Sequence, residues 1–93
     1  MMQYEPLPSF ERSLKKLPED DRDKAKEAIF TLMDFFETGK KPHGLGLKKL
    51  GKNLWEIRVD IRNRVAFILE NDLVKWGFVG DHNQIRQFIK TFK

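Results

Sequence analysis

Between Trp55 and Phe67 the chain alternates apolar and charged residues almost without a break. Trp55, Ile57, Val59, Ile61, Val65 and Phe67 stand at odd positions, and Glu56, Arg58, Asp60, Arg62 and Arg64 at even ones. A period of two is the signature of extended strands with one dry and one wet face. Two strands meeting here keep the apolar set together only if the turn between them preserves parity. A turn of Asp60, Ile61 and Arg62 does so. It places Trp55 opposite Phe67, Ile57 opposite Val65 and Arg58 opposite Arg64. Like charges directly opposite one another are unfavourable in a sheet. A merely solvated face would pair opposite charges, so the two arginines point to an anionic ligand.

The rest of the chain is read around this hairpin. With 93 residues, of which 40% are hydrophobic and 12% aromatic, a single domain spanning 1–93 with one core is expected. Zero cysteines rule out a disulfide framework and thiolate zinc sites. No long apolar run and no signal pattern is present in the sequence, so no membrane association is expected and the cytoplasm is the default location. Between Lys40 and Arg64 eight cations face only Glu56 and Asp60, a local charge of +6. From Glu19 to Glu37 seven carboxylates face Arg22, Lys24 and Lys26, a local charge of −4. Such polarisation gives the molecule a basic side suited to phosphates.

Met2 to Glu5 reads as a short edge strand closed by Pro6 and Pro8. Phe10, Leu14 and Leu17 fall at helical spacing behind Ser9, which is placed to cap a first helix. Pro18 suits the first turn of a second helix, its acidic start complements the helix dipole, and Gly39 ends it. A glycine- and lysine-rich loop then leads to a short strand near Leu47 to Leu50. Three strands follow, Leu54 to Val59, Arg64 to Glu70 and Leu73 to Val79, the last two joined at Asn71 and Asp72. An uninterrupted register from that turn pairs Phe67 with Trp76, Val65 with Phe78, Arg64 with Val79 and Ala66 with Gly77. The small pair Ala66 and Gly77 would form a shallow floor beside Arg58 and Arg64. A terminal helix carries Ile85, Phe88, Ile89 and Phe92, capped by Asp81 or Asn83.

His82 emerges near the cationic end of the wet face. The resulting constellation is Arg58, Arg64, His82 and Glu56, surrounded by Lys48, Lys49, Lys52 and Arg62. Cleavage of RNA without a metal needs a base for the 2′-hydroxyl proton, cations for the charged phosphorane and an acid for the 5′-oxygen. Histidine can serve either proton transfer near neutral pH. Arginine stays protonated, so Arg58 and Arg64 fit electrostatic roles, and Glu56 fits that of a base. The plainer readings are a surface or capping histidine, a solvated lysine face and an exposed ion pair between Glu56 and Arg58. Trp55 and Trp76 belong to the dry face. His43 stands alone, without the neighbours a metal site would need.

The string Leu54, Trp55, Glu56, Ile57, Arg58, Val59 followed by Arg64, Val65, Ala66, Phe67 resembles the RelE/ParE superfamily of toxins from type II toxin-antitoxin pairs. The resemblance extends to Leu14, Lys15, Lys16 and Leu17, to Gly46 through Leu50, and to Val79 through His82. It implies an α+β fold, with two N-terminal helices packed on an antiparallel sheet of about four strands and a short C-terminal helix. It further implies a metal-independent mRNA endoribonuclease that acts on the ribosome and inhibits translation. No cofactor is expected, and the partners are a cognate antitoxin protein, mRNA and the ribosome. Arg58 and Arg64 match basic residues of the cleavage site in the ribonuclease branch, and His82 matches a basic or histidine position after the last strand. Lys48, Lys49, Lys52 and Arg62 would hold RNA. Glu56 stands where RelE has a lysine, and Phe88 where it has a tyrosine. The alternatives within the superfamily are a ParE-like gyrase inhibitor without nuclease activity and a non-toxic antitoxin-binding member.

Overall fold

A computed structural model describes residues 1–92. In chain order its elements are β1 (Gln3–Pro6), α1 (Pro8–Lys15), α2 (Glu19–Thr38), β2 (Lys48–Lys49), β3 (Leu54–Arg58), β4 (Asn63–Glu70), β5 (Leu73–Asp81) and α3 (His82–Phe92). The strands form one five-stranded sheet in the order β1-β5-β4-β3-β2. All neighbours are antiparallel except β1, which runs parallel to β5 and makes the sheet mixed.

The β3–β4 register is the one parity demands, with Trp55 opposite Phe67, Ile57 opposite Val65 and Arg58 opposite Arg64. The β4–β5 register agrees with expectation from the Asn71 turn as far as Phe67 opposite Trp76. Asn71 adopts a φ of 55°, a left-handed conformation that asparagine tolerates better than most residues. Beyond Trp76 the register slips. Ala66 pairs with Phe78, Val65 with Val79 and Arg64 with Gly80, which leaves Gly77 as the extra residue of a bulge. The uninterrupted pairing of Val65 with Phe78, of Ala66 with Gly77 and of Arg64 with Val79 is therefore corrected. The bulge inverts the sides of the last residues of β5, so Val79 joins the dry face and Phe78 the opposite one.

Two apolar layers result. On one side α1 and α2 bring Phe10, Ala25, Ile29 and Leu32 against Ile57, Val65, Phe67, Val74, Trp76 and Val79. On the other, α3 brings Ile85 and Phe88 against Leu54, Ala66 and Ile68. The floor inferred at Ala66 and Gly77 is thus covered. Phe88 lies over it, stacked between Phe78 and Phe92 at centroid distances of 5.6 and 5.7 Å. Arg58 on the same face stays exposed and Arg64 half-buried.

Helix α1 also does the work of a strand. β1 accompanies β5 only as far as Trp76, so the far half of the β5 edge needs other partners. Ser9 Oγ donates to the Gly77 carbonyl at 2.6 Å, and the Val79 N–H donates to Ser13 Oγ at 3.0 Å. Ser13 passes its own proton to the Phe10 carbonyl at 2.9 Å. Ser9 is therefore not the helix cap. Leu7 holds that position without a side-chain bond, and Pro8 opens the first turn. At the end of α2, Gly39 takes a left-handed φ of 75° and donates its N–H to the Phe35 carbonyl, as expected.

A Cβ added at Gly77 would stand 2.7 Å from Phe88 Cζ and 3.2 Å from the Ala66 carbonyl oxygen. The Phe88 ring is nearly buried and packed against the rings of Phe78 and Phe92, so it has little room to retreat. Gly77→Ala is expected to cost about 1–3 kcal/mol in urea unfolding. An unchanged midpoint would show that the Phe88 stack yields freely.

Candidate functional site

The turn between β3 and β4 is built by one side chain. The Asp60 carboxylate accepts the N–H groups of Arg62 at 2.8 Å and Asn63 at 2.7 Å, while the Val59 N–H donates to the Asn63 carbonyl at 2.9 Å. These bonds close the odd-numbered turn and set Arg58 across from Arg64. The Asn63 N–H holds the Asp60 carboxyl below its ordinary value, against the opposing effect of burial; the Arg62 N–H and the nearby Lys24 and Arg62 charges add to it. Lys24 approaches from α2 at 3.9 Å.

Arg64 Nη1 donates to Glu56 Oε2 at 3.2 Å. Glu56 faces Ala66 directly, two residues from Arg64, so the contact is a diagonal one across the strand pair. The Glu56 side chain is only 8% exposed and that of Arg64 23%. Arg64 is the partner that satisfies this buried carboxylate. Arg58, exposed and directly opposite, has no ion-pair partner among the described residues. Glu56 therefore neutralises one arginine of the pair and leaves the other free.

Arg58 is positioned by its backbone as much as by its strand. Its N–H donates to the Leu45 carbonyl at 2.8 Å, and Gly46, with a φ of 63°, lies so near that an added Cβ would stand 3.0 Å from Arg58 Cβ. The glycine-rich loop thus lines the base of the arginine. Lys48 pairs with Glu56 across β2 and β3 and shares its face. Lys49 is opposite Trp55 and turns to the other face, where its ammonium lies 5.7 Å from the indole centroid. Arg62 sits in the Asp60 turn beside the arginine pair. Lys52 lies in the β2–β3 turn, at the far end of β3, about 15 Å away along the strand.

His82 is the exposed first residue of α3. Gly80, opposite Arg64, brings the chain to this point, and Asp81 caps the helix. Asp81 Oδ1 accepts the Gln84 N–H at 2.8 Å, and Gln84 Oε1 accepts the Asp81 N–H at 2.9 Å. No hydrogen bond or ion pair joins His82 to Arg58, Arg64 or Glu56 among the described residues. His43 is exposed in the loop before β2, and no cluster of potential metal ligands occurs among the described residues. Nor is any helix among them long and apolar enough to cross a membrane. Phe88, nearly buried in its stack, offers no free ring face.

Solved structures with this arrangement are recognisable over almost the whole chain. Escherichia coli YafQ from strain BL21(DE3) superposes with a TM-score of 0.67 at 16% identity, covering 91% of this chain and 98% of YafQ. YafQ in the E. coli DinJ-YafQ complex gives 0.69 at 17% identity, with the same coverage. The fold is that of the RelE and YafQ proteins. The Methanococcus jannaschii RelB-RelE antitoxin-toxin complex gives 0.66 at 18% identity, covering 89% of this chain and 95% of the other. No protein-family model and no curated protein matches the sequence. The RelE-like α+β architecture is thus shared while sequence identity stays low, so the chemistry rests on this chain's own residues.

The Asp60 carboxyl predicts a pH dependence with a definite sign. Its folded-state value lies below the ordinary one, so its contribution to stability is present above about pH 4 and is lost as pH falls through the folded value. Urea unfolding of the wild type and Asp60→Asn should differ most above about pH 5 and converge towards about pH 2. A gap that widened on acidification would contradict the turn geometry.

Proposed function

We propose that this protein is the toxin of a type II toxin-antitoxin pair and cleaves messenger RNA on the ribosome. The observation that carries the reading is the unneutralised Arg58 guanidinium, exposed on the sheet face beside Arg64. The shared fold supports it, since the neighbours of known structure include toxins crystallised with DinJ or RelB. By the same likeness the cognate partner is an antitoxin protein.

In the reaction the 2′-oxygen loses its proton and attacks the adjacent phosphorus, the bond to the 5′-oxygen breaks, and that oxygen gains a proton. A 2′,3′-cyclic phosphate and a 5′-hydroxyl result. Arg58 stabilises the charge that grows on the phosphorane, which a preorganised cation does without rearranging its supports. Arg64 contacts the same phosphate and is oriented by Glu56. Glu56 thereby acts as a positioning residue, its engaged carboxylate holding the guanidinium rather than taking the 2′-proton. His82 carries one of the two proton transfers. Lys48 and Arg62 meet RNA beside the site, while Lys49 and Lys52 extend the contact along the β2 edge.

The test is mRNA cleavage on translating ribosomes, read by primer extension. Wild-type protein should yield discrete cuts, and Arg58→Ala should lower the rate about 100-fold or more with the fold intact. Undiminished cleavage by the variant would remove Arg58 from the site. Intact mRNA together with inhibition of DNA gyrase would overturn the nuclease reading in favour of a ParE-like action.

A further inference from the structure

A second basic site lies across the β5 edge from Arg64. A cavity of about 190 Å³ opens between α1 and the start of α3, lined by Ser9, Arg12, Ser13, Lys16, Phe78 and Gln84 among others. Arg12, in the last turn of α1, and Lys16, its C-cap residue, stand four residues apart, and neither has an ion-pair partner among the described residues.

The groups left available in the cavity are mostly donors. Both serine hydroxyl protons are spent, on the Gly77 and Phe10 carbonyls. Gln84 Oε1 accepts the Asp81 N–H, which leaves the Gln84 amide nitrogen as a donor. The Asp81 carboxylate, close in sequence to the cavity residue Gln84, is engaged with the Gln84 N–H. A guanidinium, an ammonium and an amide around a small cavity fit an oxyanion. At roughly six times the volume of a water molecule, the space suits a phosphate group with its hydration and is small for a whole nucleotide.

We propose that this cavity binds a backbone phosphate of the same RNA strand whose scissile phosphate lies at Arg58 and Arg64, with Arg12 and Lys16 as its ligands. The proposal rests on the nuclease reading above. The cavity adjoins the first site, because Gly80 faces Arg64 and adjoins Val79, a residue of the cavity wall, so an RNA strand held at Arg64 runs on towards it. The cavity wall at Val79 is thus one strand spacing from the β4 backbone, about 5 Å, with α1 bonded to its far side. One single strand can span both sites.

The probe is a single-stranded 2′-O-methyl RNA of about ten nucleotides, which cannot be cut, with affinity followed by fluorescence anisotropy at several salt concentrations. Arg12→Ala/Lys16→Ala should raise Kd about tenfold and reduce the magnitude of the salt slope by about 0.7–1.4. Lys26→Ala/Lys90→Ala, which removes equal charge from α2 and α3, should change both far less. Affinity and slope equal to wild type in the Arg12/Lys16 variant would overturn the proposal, as would equal losses in the two double variants. A polyglutamate peptide that binds wild type but not that variant, with RNA affinity kept, would also overturn it and assign the cavity to an acidic protein. Ribosomal mRNA cleavage by wild type, scored in parallel, separates the two failures. Cleavage with an unaltered variant affinity sinks the cavity alone, and absence of cleavage sinks the nuclease reading as well.

Discussion

The parity of the β3–β4 turn is the constraint on which the rest depends. Asp60 folds two N–H groups onto one carboxylate and so closes a turn that keeps odd residues with odd and even with even. A slip of one residue in β4 would carry Val65 to the charged face and Arg64 into the main core. With the register held, α2 meets an unbroken apolar surface, α3 finds Ala66 and Ile68 on the other side, and the two arginines are brought together across the strand pair.

The arginine pair is then resolved unequally. One buried carboxylate can satisfy one guanidinium, and Glu56 reaches Arg64 along the diagonal, at 3.2 Å. This arrangement satisfies the charge that is half-buried and leaves uncompensated the one that water can reach. A free, exposed cation on a rigid sheet is well suited to a transient negative charge, because its supports are not rearranged when that charge forms. Gly46 adds to the rigidity by packing directly on the Arg58 Cβ.

How far the sequence could be read follows from the range of the interactions involved. Alternation over Trp55 to Phe67 is local, so the faces, the turn and the opposition of Arg58 to Arg64 were legible. The Asn71 turn was likewise legible out to Trp76. The Gly77 bulge was not, because it accommodates the Phe88 ring, brought in from α3, and period-two counting has no term for an inserted residue. Ser9 carries a local capping signal, yet its hydroxyl serves a carbonyl 68 positions away. The charges of Glu56, Arg58 and Arg64 were visible on one face, but the diagonal that selects Arg64 depends on side-chain reach. Lys48 and Lys49 are adjacent in sequence and opposite in space, as any neighbouring pair on a strand must be.

The central claim is that Glu56 is coupled to Arg64 and not to Arg58. Double-mutant cycles of urea unfolding with Glu56→Gln, Arg58→Ala and Arg64→Ala measure this directly. The account predicts a coupling of about 1–3 kcal/mol between Glu56 and Arg64 and close to none between Glu56 and Arg58. Coupling of equal size to both arginines, or to Arg58 alone, would contradict it.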